Sequence, residues 1–335
     1  MKKVLILTIN MWAFFAVAQS YNNGGLSTGS TSKSGVVAPT GYTWSELQNN
    51  TGNTTESNTT AGVSGTYISS TNNYYLADDF TIPPGSHWQI STIDFFAYQT
   101  GYTGTTSPFN TVRVNIFNGD PSLASSISIF GNDATNRFSS SEDAKMYRIF
   151  NSLIPSPGIE PVANRKIWKV SANIGTTLSP GTYWLKFQLQ NSTLASSFIP
   201  TVTISGSRGL SSFNAKQLDV SNGLWKPVVD NGEYLNVYKV DFPFVINFTN
   251  SMGVDEKMQY DNRVQVYPNP VKDVFRINNP EKFKISEIEI SDTSGRVVKT
   301  LKANNDYNIS DLSKGIYILK IKNDGITKIS KLIKE

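Results

Sequence analysis

The sequence contains no cysteine and only one histidine. Without thiols the chain can form no disulfide framework, no thiolate metal site and no cysteine nucleophile. The single histidine, His87, follows a Pro-Pro-Gly turn, and no nucleophile-elbow motif occurs in the chain. The sequence therefore provides no pattern typical of a histidine-based zinc site or a Ser-His-Asp triad.

Charge is also scarce, at 17% of the 335 residues against about 25% in an average soluble protein. The formal net charge is +4, yet the stretch from Tyr21 to Asn250 holds 13 basic and 14 acidic residues. The positive excess lies near the two chain ends. Because the central part has no cationic excess to hold phosphates, we expect no binding to nucleic acid.

Long apolar runs are missing except at the N-terminus. Two lysines precede a mostly apolar stretch, Val4 to Val17, and Ala16-Val17-Ala18 fits the small-x-small cleavage rule. The run is interrupted by Asn10 and is too short for a convincing membrane span. The pattern predicts that residues 1–18 are a signal peptide of the Sec pathway, cleaved after Ala18.

Residues 19–40 are rich in Gly, Ser, Thr and Asn and show no hydrophobic periodicity. Such a composition buries too little apolar surface to offset the entropy lost on ordering. We therefore expect a flexible leader.

From residue 41 to residue 250 the sequence alternates between apolar and polar residues in many short stretches, as in Val112, Val114 and Ile116. Turn-forming Pro, Gly and Asn clusters separate these stretches, and no long amphipathic helical pattern appears. The pattern predicts a large antiparallel β-sandwich, jelly-roll-like in outline. Between Trp88 and Tyr98 the alternation changes phase, which predicts either a bulge near Thr92 or a strand covered on both faces.

Tryptophan supplies the candidate ligand-binding residues. Trp184 shares its predicted strand face with polar residues, which suggests a half-exposed indole, and Trp225 lies in a loop-like Asn-Gly-Leu-Trp-Lys-Pro stretch. Both are positioned to stack on a sugar ring or pack against a partner. The alternative is that a loop or the second sheet covers Trp184 as part of a core.

Carboxylates supply the only candidate metal ligands. Asp78 and Asp79 are adjacent, so a turn of the backbone would be needed to bring both to a calcium ion together with Asp94. The alternative is that they hydrogen-bond backbone amides at the entry to a core strand. No catalytic residue is predicted. Glycosidase chemistry needs two carboxyl groups that flank the sugar bond, and no pair of acidic residues stands out in the sequence. Glu46 and Glu142, for example, lie in polar stretches that we expect to be exposed.

The composition changes near residue 263, after a polar connector at residues 251–262. Residues 263–335 are rich in Lys and Ile and read as about seven short strands, which predicts a small immunoglobulin-like β-sandwich. Several motifs follow in order: Val-Tyr-Pro-Asn-Pro, Ser-Gly-Arg, Gly-Ile-Tyr and a basic last strand. This series resembles the C-terminal sorting domain, type A, of proteins exported by the type IX secretion system of Bacteroidetes. The positions that match the pattern are Tyr267, Pro268, Asn269, Pro270, Gly295, Arg296, Gly315 and Tyr317.

The resemblance implies an export route and partners. The tail would be recognised by the outer-membrane type IX machinery and removed by a sortase-like protease. The remaining protein would be released or joined to surface lipopolysaccharide. The matching residues would serve folding and recognition, not catalysis.

The stretch from Gly41 to Tyr98 contains the motifs Tyr-Thr-Trp-Ser-Glu and Leu-Ala-Asp-Asp-Phe. With these motifs it resembles a β-sandwich module of secreted bacterial proteins that has no assigned reaction. We therefore expect residues 41–250 to be a non-enzymatic module that binds glycan or adheres at the cell surface. A polysaccharide hydrolase and a purely structural surface protein are the alternatives. No cofactor is expected unless calcium binds.

Overall fold

The computed structural model describes residues 18–154, 160–231, 237–251, 265–278, 285–292, 296–323 and 326–335. The chain divides into a large unit, Met1–Met252, and a small unit, Gly253–Glu335. The predicted signal peptide, apart from Ala18, and the predicted connector, apart from Ser251, lie outside the described residues. Within the described residues no helix is long and apolar enough to cross a membrane.

The large unit is built from strands. They are β1 (Ala18–Asn22), β2 (Thr43–Glu46), β3 (Tyr74–Ile82), β4 (His87–Tyr98), β5 (Phe109–Phe117), β6 (Ser128–Asn132), β7 (Phe138–Ile149), β8 (Lys166–Leu178), β9 (Gly181–Asn191), β10 (Lys216–Asp219), β11 (Leu224–Pro227), β12 (Val229–Asn231), β13 (Val237–Lys239) and β14 (Phe244–Ser251). Twelve of them form two six-stranded sheets, in the orders β1-β14-β4-β8-β7-β2 and β11-β10-β3-β9-β5-β6, while β12 pairs with β13. All pairings in the two large sheets are antiparallel except β2 with β7. The prediction of an all-β fold is confirmed.

The core lies between the two sheets. Alternating side chains of β4, β8 and β14 from one sheet meet those of β3, β5 and β9 from the other in one buried apolar cluster. Phe95 of β4 stacks on Phe187 of β9 with their ring centroids 4.6 Å apart. Burial of such large side chains is the main stabilising term in a domain without disulfides.

The predicted irregularity in β4 is a bulge. The register between β4 and β8 shifts between Ile90 and Thr92, and the partner strand β14 shifts between Asn247 and Phe248. The shift explains the change of alternation phase, because it lets both Ile90 and Ile93 point into the core.

The expectation of a flexible leader at residues 19–40 is wrong. All five residues of β1 pair with β14, and the ring of Tyr21 packs against that of Trp88 at 5.5 Å between centroids. Farther along, Gly29 forms an isolated β-bridge with Trp44. Composition alone did not predict this order, because the segment is held by hydrogen bonds to strands that lie far away in the sequence.

The small unit contains β15 (Gln265–Tyr267), β16 (Val274–Asn278), β17 (Glu287–Ser291), β18 (Val297–Lys302), β19 (Tyr307–Asn308), β20 (Gly315–Asn323) and β21 (Ile326–Lys334). They form the sheets β15-β16-β19 and β18-β17-β20-β21. Side chains of both sheets share one apolar core, in which Phe275 stacks on Tyr307 at 5.1 Å. The small all-β domain is thus present as predicted.

Candidate functional site: an amide-lined cleft

The large unit carries a cleft of about 710 Å³ that is lined mainly by uncharged polar side chains. Its walls are Lys33, residues 48–54, Asn151 with residues 153–154, and residues 205–206. A smaller cleft of about 300 Å³ shares Lys33, Gln48 and Ser205 with it. We call the larger one the amide cleft, because four asparagines and one glutamine line it.

Hydrogen bonds between loops fix the amide cleft's walls. Gln48 donates its Nε2 to Glu46 O at 2.8 Å and accepts from Gly206 N at 3.4 Å. The backbone N–H of Thr51 donates to Gly206 O at 2.9 Å. Two loops far apart in sequence are therefore tied together, so the cleft is held in shape without a ligand.

A buried ion-pair cluster supports the wall formed by residues 48–54. Arg208 donates from Nε to Asp230 Oδ2 at 2.8 Å and from Nη2 to Ser57 O at 2.9 Å, and its Nη1 lies 3.5 Å from Glu56 Oε1. The Glu56 carboxylate also accepts from Asn53 Nδ2 at 2.8 Å. Because removing one member of such a cluster leaves an unpaired buried charge, these contacts hold the loop in one conformation.

Glu46 braces the opposite wall. It is only 1% exposed, although the sequence suggested an exposed position. Its Oε1 accepts from Ser152 N at 2.8 Å and from Ser152 Oγ at 2.6 Å, and its Oε2 accepts from Lys33 N at 2.7 Å. Since both oxygens are engaged by the protein, the geometry suits a structural brace better than a general acid or base.

Arg148 is a second buried cation near this end of the sandwich. It donates from Nε to Ala61 O at 2.7 Å, from Nη1 to Ser45 Oγ at 2.9 Å and from Nη2 to Thr201 Oγ1 at 2.8 Å. These acceptors are all neutral, and burial lowers the pKa of Arg148 to about 10. The guanidinium joins three separate segments.

The tryptophans predicted as ligand platforms are placed differently from expectation. Trp184 is 8% exposed, so the half-exposed indole is not observed. Lys216 lies over its ring at 5.6 Å and is itself paired with Asp120, so the segment after β5 helps to cover this sheet face. Trp225 is half-buried in the edge strand β11 rather than in a loop. Neither tryptophan lines the amide cleft.

The three aspartates predicted as calcium ligands are not brought together as ligands. Asp78 Oδ2 accepts from Phe242 N at 2.7 Å and from Asn23 Nδ2 at 3.1 Å, in agreement with the structural alternative. Asp94 lies on the other sheet, where it accepts from Ser171 Oγ at 2.6 Å. Asp79 is half-buried beside Asp78. Among the described residues no group of three or more His, Asp or Glu side chains is placed to hold a metal ion.

The residues that match the sorting pattern have structural roles in the small unit. Asn269 donates from Nδ2 to Lys331 O and accepts at Oδ1 from Ile333 N, both at 2.8 Å, which fastens the Pro-Asn-Pro turn to the last strand. Tyr317 is buried and donates to Ser313 O at 2.7 Å. Gly315 begins β20.

Other matching positions face solvent. Tyr267 is 48% exposed, and Pro268 and Pro270 are exposed beside it. Arg296 is exposed and pairs with Asp292 at 3.1 Å. Gly295 lies outside the described residues.

Comparison with known proteins identifies a family in the small unit. A solved structure described as the β-D-glucuronidase of Dictyoglomus thermophilum aligns with 96% of this chain and 44% of its own length. The identity is 10% and the TM-score 0.19, which carries no argument about function, and the chain spans less than half of that protein. No curated protein matches the chain. The model of the family described as "Secretion system C-terminal sorting domain" matches residues 265–335. These residues are therefore a type IX secretion C-terminal sorting domain, and the protein is exported to the cell surface or the extracellular space.

Proposed function

We propose that the large unit is a non-enzymatic module that binds glycan at the cell surface, with the amide cleft as its binding site. The observation that carries the proposal is the lining of this cleft by amide and hydroxyl side chains held by a rigid sandwich. Such groups offer the directional donors and acceptors that sugar hydroxyls need. Loops on a fixed scaffold are also where binding sites commonly lie.

The hydrolase alternative has less support. Glycoside hydrolysis generally needs two carboxyl groups on opposite sides of the scissile bond. None of the described residues that line the amide cleft is Asp or Glu, and among those that line the adjoining cleft the one acid, Glu46, is engaged at both oxygens by Lys33 and Ser152. The purely structural alternative does not account for a preformed cleft of this size.

Binding to a glycan array, followed by a cleft-filling variant, tests the proposal. The exposed Ser205 lines the cleft, so Ser205→Trp should weaken binding at least tenfold by occupying the ligand volume. Ser125→Trp, on an exposed turn outside the cleft, is the matched control and should bind as the parent protein does. The assay is run with calcium and with a chelator.

Three outcomes separate the alternatives. Loss of binding in Ser205→Trp alone supports the proposal. Release of reducing ends from a bound glycan would favour the hydrolase. Failure to bind any arrayed glycan, or equal binding by both variants, would remove the amide cleft as the site.

The route to the surface completes the proposal. Residues 1–18 would direct entry to the periplasm, a sortase-like protease would remove the sorting domain, and the large unit would be released or joined to lipopolysaccharide. Secreted protein should then begin at Gln19, which N-terminal sequencing determines. A sequence that begins at Met1 would contradict the signal-peptide prediction.

A further inference from the structure

Most amide oxygens that line the amide cleft are already used by the protein. Gln48 Oε1 accepts from Gly206 N, and Asn49 Oδ1 accepts from Arg208 Nη1 at 3.5 Å. Asn53 Oδ1 accepts from the backbone N–H groups of residues 55 and 56, at 3.3 and 3.1 Å. A ligand that needs amide acceptors would find these oxygens occupied.

Donors are left over instead. Asn151 is 1% exposed, and its Oδ1 accepts from Leu153 N at 3.1 Å, while its buried Nδ2 has no hydrogen-bond partner among the described residues. A buried donor without a partner costs about 1–3 kcal/mol, but this nitrogen is itself shielded from the cleft, so it is not available to a bound ligand.

Asn50 shows the same arrangement. Its Oδ1 accepts from Arg208 N at 3.0 Å, and this backbone donor fixes the orientation of the amide. The Nδ2 of Asn50 makes no hydrogen bond with the described part of the chain. Asn50 is only half-buried, so its N–H groups remain available to a ligand, unlike those of Asn151.

Lys33 adds the only ionisable side chain among the described residues on the cleft's walls. Its ammonium group forms no ion pair with any described residue. Burial lowers the pKa of Lys33, and the charge of Glu46 partly opposes this effect. The Glu46 oxygens, however, accept from the backbone of Lys33 and from Ser152. Lys33 is nevertheless exposed, so its ammonium group is accessible to a ligand and has no direct counter-ion among the described residues.

We infer that the amide cleft selects an acidic saccharide, whose carboxylate or sulfate oxygens accept hydrogen bonds from Lys33 Nζ and from the free amide of Asn50. The inference rests on the proposed glycan-binding function and names its ligand class. An anionic group supplies several strong acceptors and no donor, which matches the unused groups of this cleft. A neutral sugar would leave the ammonium group unpaired.

The test compares three oligosaccharides of equal length, one neutral, one containing uronic acid and one sulfated, by titration calorimetry with the full chain. We expect at least one acidic ligand to bind tenfold or more tightly than the neutral one, with weaker binding at high salt. Whichever acidic ligand binds identifies the anion as carboxylate or sulfate.

Two variants assign the preference to the cleft. Lys33→Gln should reduce acidic binding about tenfold, since it removes one charge-assisted hydrogen bond. Asn50→Asp keeps the oxygen that accepts from Arg208 but replaces the free donor by a negative charge, so it should reduce acidic binding at least as much. Lys226→Gln, an exposed lysine of β11 outside the cleft, is the control and should change nothing.

The outcomes distinguish this inference from the proposed function. Equal affinity for neutral and acidic ligands, or an acidic preference unchanged in Lys33→Gln and Asn50→Asp, would overturn the inference and leave glycan binding intact. If none of the three ligands nor any arrayed glycan binds, the proposed function itself fails. Retained thermal unfolding temperature in each variant shows that a loss of binding is not a loss of fold.

Discussion

A half-buried carboxyl just before β14, that of Asp241, should contribute less to the stability of the large unit at neutral pH than at mildly acidic pH. Asp241 accepts from Asn214 N at 2.8 Å and from Ala215 N at 3.3 Å, both through Oδ1. Burial raises the pKa of Asp241 to about 6 from an ordinary 3.8, with the charge of Asp79 adding to the effect. Burial and the charge of Asp241 also raise the pKa of Asp78.

The sign of the effect follows from proton binding. Between pH 3.8 and about 6 the unfolded chain has lost this proton while the folded protein still holds it. The folded state binds more protons, so the contribution of Asp241 to stability decreases as pH rises through this window. Above about pH 6 the folded protein carries the full cost of the buried charge.

Asp241→Asn removes that cost and keeps the oxygen that accepts from the two backbone N–H groups. The pKa difference corresponds to at most about 3 kcal/mol. Because Asp241 is only half-buried, solvent screening reduces the expected gain to about 1 kcal/mol at pH 8. At pH 4 both side chains are neutral in the folded state, so the gain should vanish.

Urea unfolding of both proteins at pH 4, 6 and 8, followed by tryptophan fluorescence, measures this gain. The signal reports on the large unit, because no tryptophan occurs in residues 265–335. Asp219→Asn is the control, since a hydrogen bond from the Ser221 hydroxyl lowers the pKa of Asp219 and neutralisation should not stabilise the protein at pH 8. A pH-independent difference for Asp241→Asn, or a loss of stability at pH 8, would refute the reasoning.

Three further changes test other parts of the structure. Arg148→Met should lower the free energy of unfolding by about 3 kcal/mol, because Ala61 O and two hydroxyls lose a buried donor. A loss below about 1 kcal/mol, measured by urea unfolding, would contradict this. Gly131→Ala should lower the free energy of unfolding by about 2–3 kcal/mol in the same assay. The added Cβ would lie 2.0 Å from Val114 O, and the φ of +85° at this position is strained for alanine. An unchanged urea midpoint would contradict this prediction. Deletion of residues 265–335 should leave the protein in the periplasm, which cell fractionation and immunoblotting detect; normal surface delivery would contradict the role of the sorting domain.

The strands that could be predicted are those whose pattern is local. In β5 the alternation of Val112, Val114 and Ile116 is visible in six residues, and these side chains are fully buried. The phase change in β4 was equally local, and the bulge is where the pattern placed it. Period-two alternation needs only one strand and one buried face, so it can be read without knowledge of the partner strand.

Trp184 shows where this reasoning ends. Its polar strand neighbours indicated a solvent-facing side, and Lys186 and Gln188 do share that side. They are buried nonetheless, because Lys186 pairs with Asp133 and Gln188 donates to Asn73 Oδ1. Polar residues on a strand face indicate the chemistry of that face, but whether another segment covers it depends on the tertiary fold.

The same distinction separates the sorting domain from the amide cleft. The sorting domain is one continuous stretch, residues 265–335, so its features lie together and can be read from the sequence. The cleft instead combines Lys33, the loop at residues 48–54, Asn151 and Ser205, which more than 150 residues separate. The proposal depends on which amide groups of the cleft remain without a hydrogen-bond partner. That in turn depends on which backbone groups of other loops already bond to each amide. Glu46 illustrates this dependence, since its carboxylate lines the adjoining cleft and is nevertheless engaged at both oxygens by Ser152 and the backbone of Lys33. The proposed ligand chemistry of the large unit would therefore follow from contacts between segments, which composition and motifs do not reveal.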